Sequence, residues 1–235
     1  PGPYNPLKTK STLLTFGQNM QYLEEKGVSC NIASFVGATT VRIHVIGEDD
    51  REPNAQELAV MQSLVRQSMQ EGALGLGTSL IYPPAFYAKT EELIALAKAA
   101  AEYEGVYISH LRSEGDKWLE AIDELIRISE EADIAAEIYH LKAAGQRNWP
   151  KWQQVIEKIE RARRNGQTIT ANMYTYPAAS TGLDACVPPS AQDGGKAAFL
   201  ARLANPESRA QIVAEIEKEY SDWENFLQLA GDPNN

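Results

Sequence analysis

Apolar residues change their spacing several times along this chain, and the changes predict alternating strands and helices. Short apolar runs at 73–78, 106–109, 134–139 and 168–173 predict buried strands, and a run at 28–35, with an extension at 41–46, predicts one more. Helical spacing predicts helices at 16–25, 54–70, 90–104, 117–131 and from 148 to 166. Strands and helices that alternate through short connections indicate a parallel sheet.

From about Tyr174 the alternation stops, and a long loop precedes two further predicted helices at 197–203 and 207–220. A (β/α)8 barrel needs eight strand–helix units, whereas this sequence supplies about five. We therefore expect an α/β fold that forms part of a (β/α)8 TIM barrel, with extra C-terminal helices; an open sheet is the alternative. The predicted division is a polar leading segment with a short helix at 1–27, the barrel segment at 28–176, and a loop and helical extension of the same domain at 177–235.

Composition and charge narrow the range of partners. The chain has 235 residues, 43% of them hydrophobic, and a formal net charge of −10. Without a block of Lys and Arg to neutralise phosphates, a nucleic-acid or anionic-membrane surface is disfavoured, and a small-molecule substrate is expected. Cys30 and Cys186 are too far apart in sequence for a metal-binding Cys pair, which favours a reducing, cytoplasmic location. No run is long enough to span a bilayer, and the opening Pro1 indicates that the natural start lies elsewhere.

Two histidines end two successive predicted strands, and each is followed by Leu and then a basic residue. The segments are His110-Leu-Arg112 and His140-Leu-Lys142. A separation of thirty residues matches one strand–helix–strand repeat, so we expect both imidazoles at equivalent positions on one edge of the sheet. Two hydrogen-bonded core histidines are the alternative, but the repeated register favours metal ligation.

A zinc ion is the expected cofactor, because it lowers the pKa of bound water towards roughly 7 and polarises a carbonyl group. Catalytic zinc usually takes three protein ligands and a water, so two imidazoles are an incomplete set. His44 lies near the end of an earlier predicted strand and is a third candidate by position. It lacks the His-Leu-base pattern, however, and an ordinary surface or packing histidine is the better interpretation.

Polar residues near these strand ends are candidates for substrate binding. Arg112 and Lys142 each follow a histidine by two positions, which keeps them on one side of an extended chain, where they would meet an anionic carboxylate. The alternative for both is a salt bridge with Glu114 or Glu137. We expect Glu114 to orient Arg112 or a histidine rather than to act as a base. Tyrosines at strand ends are expected to line the pocket; they are Tyr82, Tyr174 and Tyr176.

Five motifs resemble one known family. They are the runs 71–84 and 87–97, His110-Leu-Arg-Ser-Glu-Gly115, His140-Leu-Lys-Ala-Ala-Gly145, and Asp184-Ala. In this order they resemble the N-acyl-D-amino-acid deacylases (D-aminoacylases) of the amidohydrolase superfamily, over residues 28–230. The resemblance implies a metal-dependent barrel that hydrolyses the amide of N-acylated D-amino acids. It also implies metal ligation by His110 and His140, on the fifth and sixth strands, and a grip on the substrate carboxylate by Lys142, with Tyr82 and Tyr174 as further substrate contacts.

The departures from the family pattern concern the remaining ligands. The family's His-x-His on the first strand, its cysteine ligand on the second and its catalytic aspartate on the eighth have no counterpart here, so no catalytic base is expected in this segment and the segment alone should be inactive. The run 75–80 has no lysine for carboxylation, and Ala38 stands where a histidine is expected. Two alternatives stay open, a cyclic-amide hydrolase of the dihydroorotase type and a non-catalytic barrel scaffold.

Overall fold

The centre of the molecule is a parallel sheet of five strands that lie side by side in sequence order. The computed structural model describes residues 15–176 and 178–231, so the first fourteen residues of the predicted leading segment lie outside the described residues. The parallel order places the C-terminal ends of all five strands at one edge of the sheet. The strands are β1 (Val36–Gly37), β2 (Gly75–Ser79), β3 (Val106–His110), β4 (Ala135–Ile138) and β5 (Ile169–Ala171).

Helices connect successive strands and pack against one another in the same order. The longest begins at a capping box, in which the Asn54 side chain accepts from the backbone N–H of Glu57 and the Glu57 side chain accepts from the backbone N–H of Asn54. The helices up to the last strand are α1 (Phe16–Lys26), α2 (Ala38–Ile46), α3 (Ala55–Gln70), α4 (Thr90–Ala101), α5 (Trp118–Ala132) and α6 (Trp152–Arg164). After it come α7 (Gly195–Ala204), α8 (Pro206–Ile216) and α9 (Phe226–Ala230). The first two of these three were predicted, and α9 was not.

The core lies between the sheet and the layer formed by α3, α4, α5 and α6, each of which contacts the next. Every second residue of β4 is buried, as expected for a strand with one face on this layer. The apolar residues of α5 recur at helical spacing and face the sheet. Fully buried side chains from both layers include Leu76, Leu96, Tyr107, Trp118, Ile122 and Ile138. This packing holds the strand ends, and the loops that follow them, in fixed positions.

The prediction for residues 28–46 was wrong. Residues 28–35 carry no strand and are mostly exposed, β1 begins only at Val36, and the expected strand extension at 41–46 lies in α2. The run Val41–Ile46 has high strand propensity, but tertiary packing outweighs propensity. In this helical arrangement the guanidinium of Arg42 is buried and forms a 2.5 Å ion pair with Glu92 of α4, a long-range contact that favours the helix.

The predicted α/β fold of about five strand–helix units with additional C-terminal helices is confirmed. Most other boundaries moved by one or two residues, and α4 and α8 end three and four residues before their predicted ends. The helix predicted to start at Asn148 begins as a 3-10 turn over Gln146–Lys151. The division of the chain at residues 27 and 176 stays a prediction. Among the described helices, none has the length and apolarity needed to cross a membrane.

Candidate metal and substrate site

The two histidines of the repeated motif lie next to each other at the C-terminal edge of the sheet, but not at equivalent positions. In the pairing of β3 with β4, Ser109 lies opposite Ile138, a separation of 29 residues, so the position opposite His110 belongs to Tyr139. The expectation of equivalent positions was therefore wrong by one residue. A turn takes up the extra residue, because His140 adopts a φ of +42°, in the left-handed region that few residues other than glycine occupy. This turn brings the imidazole of His140 back towards that of His110.

The imidazoles of His110 and His140 are in direct contact. Nδ1 of His110 lies 2.9 Å from Nε2 of His140, and the ring centroids are 4.5 Å apart in an edge-on arrangement. The other nitrogen of His110, Nε2, is buried and has no hydrogen-bond partner among the described residues. Burial lowers the pKa of His110 to about 4, so this imidazole is neutral at neutral pH and keeps a lone pair for a ligand.

Glu114 lies beside the second histidine and joins it to Lys142. Its Oε1 is 3.0 Å from Nδ1 of His140 and 2.6 Å from Nζ of Lys142. Burial raises the pKa of Glu114, but the hydrogen bond from His140 and the contact with the charged Lys142 outweigh burial, so the pKa lies below its usual value. Glu114 is therefore an ionised acceptor. Its contact is with His140 and not with Arg112, the other of the two partners expected from the sequence.

Asn172 also fixes His140, and the sequence analysis did not identify it. Its side-chain oxygen accepts from the backbone N–H of His140 at 2.7 Å, and its amide nitrogen donates to Glu137. Asn172 directly follows β5, which is the signal that was available: a polar residue at the end of a neighbouring strand. The contact stabilises the left-handed conformation of His140.

Lys142 and two of the tyrosines surround the histidine pair. Nζ of Lys142 also approaches Nδ1 of His140 at 2.9 Å and its carbonyl oxygen at 3.2 Å, and it lies 5.4 Å from the ring centre of Tyr174. The ring centres of Tyr174 and His140 are 6.1 Å apart, and the ring centres of Tyr82 and His110 are 5.7 Å apart. The hydroxyl of Tyr82 contacts Oγ1 of Thr181 at 2.8 Å. The structure therefore brings Tyr82, Tyr174 and Lys142 to the two histidines.

Three other candidates lie apart from this cluster. The guanidinium of Arg112 forms a two-bond ion pair with Glu124 of α5 and donates to the carbonyl oxygens of Phe86 and Ala88. These bonds give Arg112 a structural contact, so its expected place at an anionic substrate is not supported. Tyr176 is 74% exposed, and its ring contacts Tyr174. His44 lies exposed on α2, in agreement with the interpretation as a surface histidine.

The residues present fit a metal ion. Ligand atoms of His110, Glu114 and His140 all lie within 4.8 Å of one another. Imidazole nitrogens suit zinc and related divalent metals, and a carboxylate suits a role as ligand or as hydrogen-bond partner of a ligating histidine. The buried, unpartnered Nε2 of His110 points to the same conclusion, because such an atom is costly unless something binds it.

Comparisons with known proteins agree with this site. No protein-family model matches the chain. The chain is 33% identical to a D-aminoacylase from Alcaligenes xylosoxydans xylosoxydans over 166 residues, which is 71% of this chain and 34% of that protein. A D-aminoacylase crystal structure described as defining a novel subset of amidohydrolases has a TM-score of 0.65, with 33% identity over 68% of this chain and 34% of that one.

A second solved structure is the N-acyl-D-glutamate deacylase from Bordetella bronchiseptica, complexed with zinc and a phosphonate inhibitor that mimics the tetrahedral intermediate. Its TM-score is 0.67, with 29% identity over 69% of this chain and 34% of that one. The chain spans about a third of the length of the relatives it matches. Over that span the predicted resemblance is confirmed: the chain is related to the N-acyl-D-amino-acid deacylases (D-aminoacylases) of the amidohydrolase superfamily and has the fold of a segment of their barrel.

Proposed function

We propose that this chain is part of a metal-dependent hydrolase that cleaves the amide bond of N-acyl-D-amino acids. The observation that carries the proposal is the contact between the His110 and His140 imidazoles at the C-terminal edge of the sheet, with the ionised Glu114 against His140. Active sites of barrel enzymes lie at this edge. The relatives over the same segment are a D-aminoacylase, an N-acyl-D-glutamate deacylase and an N-acyl-D-aspartate deacylase, and none of them supports a cyclic-amide hydrolase.

His110 and His140 would hold the metal, and zinc is the metal we propose. The support is the lone pair on the neutral His110, the proximity of His140, and the zinc complex of the related N-acyl-D-glutamate deacylase. Glu114 is better placed to accept from Nδ1 of His140 than to ligate, because a ligating histidine usually donates its other N–H to such a partner. A bound zinc supplies Lewis-acid polarisation of the amide carbonyl and activation of water.

Lys142 would bind the substrate carboxylate, with Tyr82 and Tyr174 on either side of the histidines. An ammonium group has three N–H bonds. When His140 carries its proton on Nδ1, Lys142 directs two of its N–H bonds to Glu114 and to the carbonyl oxygen of His140, and the third is available to an anion. About a quarter of the Lys142 side chain is exposed, so a substrate can reach it. Arg112 is not included, because Glu124 occupies its guanidinium.

The described residues supply only part of a catalytic zinc site, since two imidazoles are fewer than the usual three protein ligands. We therefore propose that these 235 residues alone lack deacylase activity. The experiment compares this chain with the full-length natural gene product, both supplied with zinc, in the hydrolysis of N-acetyl-D-methionine, N-acetyl-L-methionine and a cyclic amide. The proposal expects turnover of the D-enantiomer by the longer protein only.

Hydrolysis of the cyclic amide in preference to N-acetyl-D-methionine would replace the proposed function with that of a cyclic-amide hydrolase. Absence of any turnover by the zinc-loaded longer protein would favour a non-catalytic scaffold. Full activity of the 235-residue chain would overturn the argument from the incomplete ligand set. Zinc as the natural metal, a cytoplasmic location and the lack of a nucleic-acid partner stay predictions.

A further inference from the structure

The C-terminal segment Trp223–Ala230 packs on the two loops that follow His110 and His140. Each loop contains a glycine five residues after its histidine, Gly115 in one and Gly145 in the other. A Cβ on either glycine would lie 3.0 Å from Cδ2 of Leu229. The absence of a side chain at both glycines therefore makes room for the side chain of Leu229. A single residue of α9 therefore contacts both halves of the repeated motif.

Glu224, at the start of this segment, is hydrogen-bonded to the first of the two loops. Its carboxylate is 6% exposed, Oε2 accepts from Oγ of Ser113 at 2.8 Å, and both oxygens lie 3.2–3.3 Å from the backbone nitrogen of Glu114. Oγ of Ser113 in turn accepts from the backbone N–H of Gly115 at 3.1 Å. A buried carboxylate with these partners holds the loop 113–115 in one conformation.

The backbone of Glu114 is therefore fixed on both sides. Its N–H donates to Glu224, and its carbonyl oxygen accepts from the N–H of Ala144 in the other loop at 2.8 Å. With both peptide groups held, the Glu114 side chain is directed to His140 and Lys142. Glu224 makes no described contact with either histidine, so any effect it has on them passes through Glu114.

The position of Glu114 matters because Nδ1 of His140 has two neighbours of opposite character. In its neutral form His140 either donates from Nδ1 to Glu114, at 3.0 Å, or accepts there from Lys142, at 2.9 Å. Only the first arrangement leaves a lone pair on Nε2, the nitrogen that faces His110. It also leaves a third N–H of Lys142 available. The carboxylate of Glu114 thus decides which tautomer is favoured.

We infer that Glu224 is a positioning residue which, by holding the backbone of Glu114, selects the Nδ1–H tautomer of His140 and so prepares Nε2 for a metal ion. The inference rests on the proposed function for its purpose, but the tautomer is a property of the metal-free chain. Removal of a partner one hydrogen bond away from a metal ligand typically costs 10- to 100-fold in metal affinity. Because Glu224 reaches His140 only through Glu114, we expect the metal affinity to fall by about tenfold, at the lower end of this range.

The test uses the metal-free 235-residue chain with 15N-labelled histidine, whose three imidazoles are assigned by NMR in mildly alkaline buffer. Glu224→Met keeps the length of the side chain and removes both acceptor oxygens, whereas Glu224→Gln keeps one. Glu219→Gln, an exposed position in the same region, removes the same charge as a matched control. The exposed His44 is the internal reference, and zinc affinity is measured on the full-length protein and its variants by competition with a chelating dye.

The expected result is an Nδ1–H signature for His140 in the wild type, a shift towards the Nε2–H form in Glu224→Met, and near-wild-type spectra for Glu224→Gln and Glu219→Gln. Should Glu224→Met fail to fold, Ser113→Ala decides, because it removes one of the bonds to Glu224 without changing a buried charge. An unchanged His140 tautomer in folded Glu224→Met, or in Ser113→Ala where it replaces that variant, would overturn the inference. A full-length wild-type protein that binds no zinc, although the 235-residue chain shows the expected tautomer, would instead count against the proposed metal site.

Discussion

The loops after His110 and His140 share a sequence pattern and differ in structure. Each contains His-Leu, a basic residue, and a glycine five residues after the histidine. In the first, the histidine is the last residue of its strand and Arg112 turns away to Glu124; in the second, the histidine follows the strand in a left-handed turn and Lys142 stays at the site. Equal spacing in sequence therefore does not guarantee equal position, because the strand register and the backbone turn both intervene.

The difference also separates two kinds of basic residue. The planar guanidinium of Arg112 matches the carboxylate of Glu124 through two parallel bonds, which suits a structural contact. The ammonium of Lys142 is shared among several partners around His140 and retains exposure. One loop thus supplies a structural support, and the other supplies the group that we propose binds the substrate.

The largest expected effect concerns the two histidines. The proposed function assigns metal ligation to both, although they occupy different positions relative to their strands. His110→Ala and His140→Ala in the full-length protein should each abolish stoichiometric zinc binding. Each should also lower deacylase activity by more than the roughly 100-fold that is typical when a hydrogen-bond partner of a metal ligand is removed. The measurement is zinc content by elemental analysis together with turnover of N-acetyl-D-methionine. His44→Ala is the control and should retain both. Normal zinc content in either of the first two variants would remove that residue from the ligand set.

The next effect tests the contrast between the two basic residues. Lys142→Met should raise KM for N-acetyl-D-amino acids by the equivalent of roughly 2 to 4 kcal/mol with zinc content unchanged, because a charge-assisted contact to the substrate carboxylate is lost. The KM for neutral N-acyl amides should rise less in this variant.

Arg112→Met is the matched comparison and should behave in the opposite way. We expect little change in KM and a decrease of about 1 to 2 kcal/mol in the free energy of unfolding, since the pair with Glu124 is partly exposed. Steady-state kinetics and urea unfolding separate the two outcomes. Equal losses for charged and neutral substrates in Lys142→Met would make Lys142 structural as well.

A smaller effect concerns the pH dependence of stability, through the segment that packs on both loops. Burial raises the pKa of Glu224 to about 7, above its value in an unfolded chain. The folded state therefore favours the protonated form of Glu224. Its contribution to the free energy of unfolding is complete below the pKa of an unfolded Glu and is lost as pH rises towards 7. The free energy of unfolding of the wild type should decrease by on the order of 2 kcal/mol between mildly acidic and neutral pH, relative to that of Glu224→Gln, whose side chain does not titrate. Urea unfolding of both proteins across this range measures it, and parallel curves would contradict the assignment.

Much of the fold could be predicted from local sequence signals. The helical spacing of residues 54–70 and the apolar runs of β2, β3 and β4 all gave correct elements. In the region 41–46, where a strand was predicted, the buried ion pair of Arg42 with Glu92, fifty residues away, favours the helix. A window of neighbouring residues contains no trace of that contact.

For the candidate site, the sequence identified which residue types meet but not how they are held. His110, His140, Lys142, Tyr82 and Tyr174 were predicted to lie together at the strand ends, and the structure brings them together. Their assigned roles stay predictions. Asn172 was missed although its place directly after β5 was an available signal. Glu224 was missed because its contact is a long-range hydrogen bond that no spacing rule encodes.

The bond between Glu224 and Ser113 joins residues 111 positions apart, and this separation has a consequence for synthesis of the chain. A ribosome that has finished both histidine strands has not yet made the segment that fixes Glu114 between them. Until Glu224 is translated, the hydroxyl of Ser113 and the backbone N–H of Glu114 lack this acceptor. A premature stop between β5 and Glu224 would leave the loop 113–115 without it.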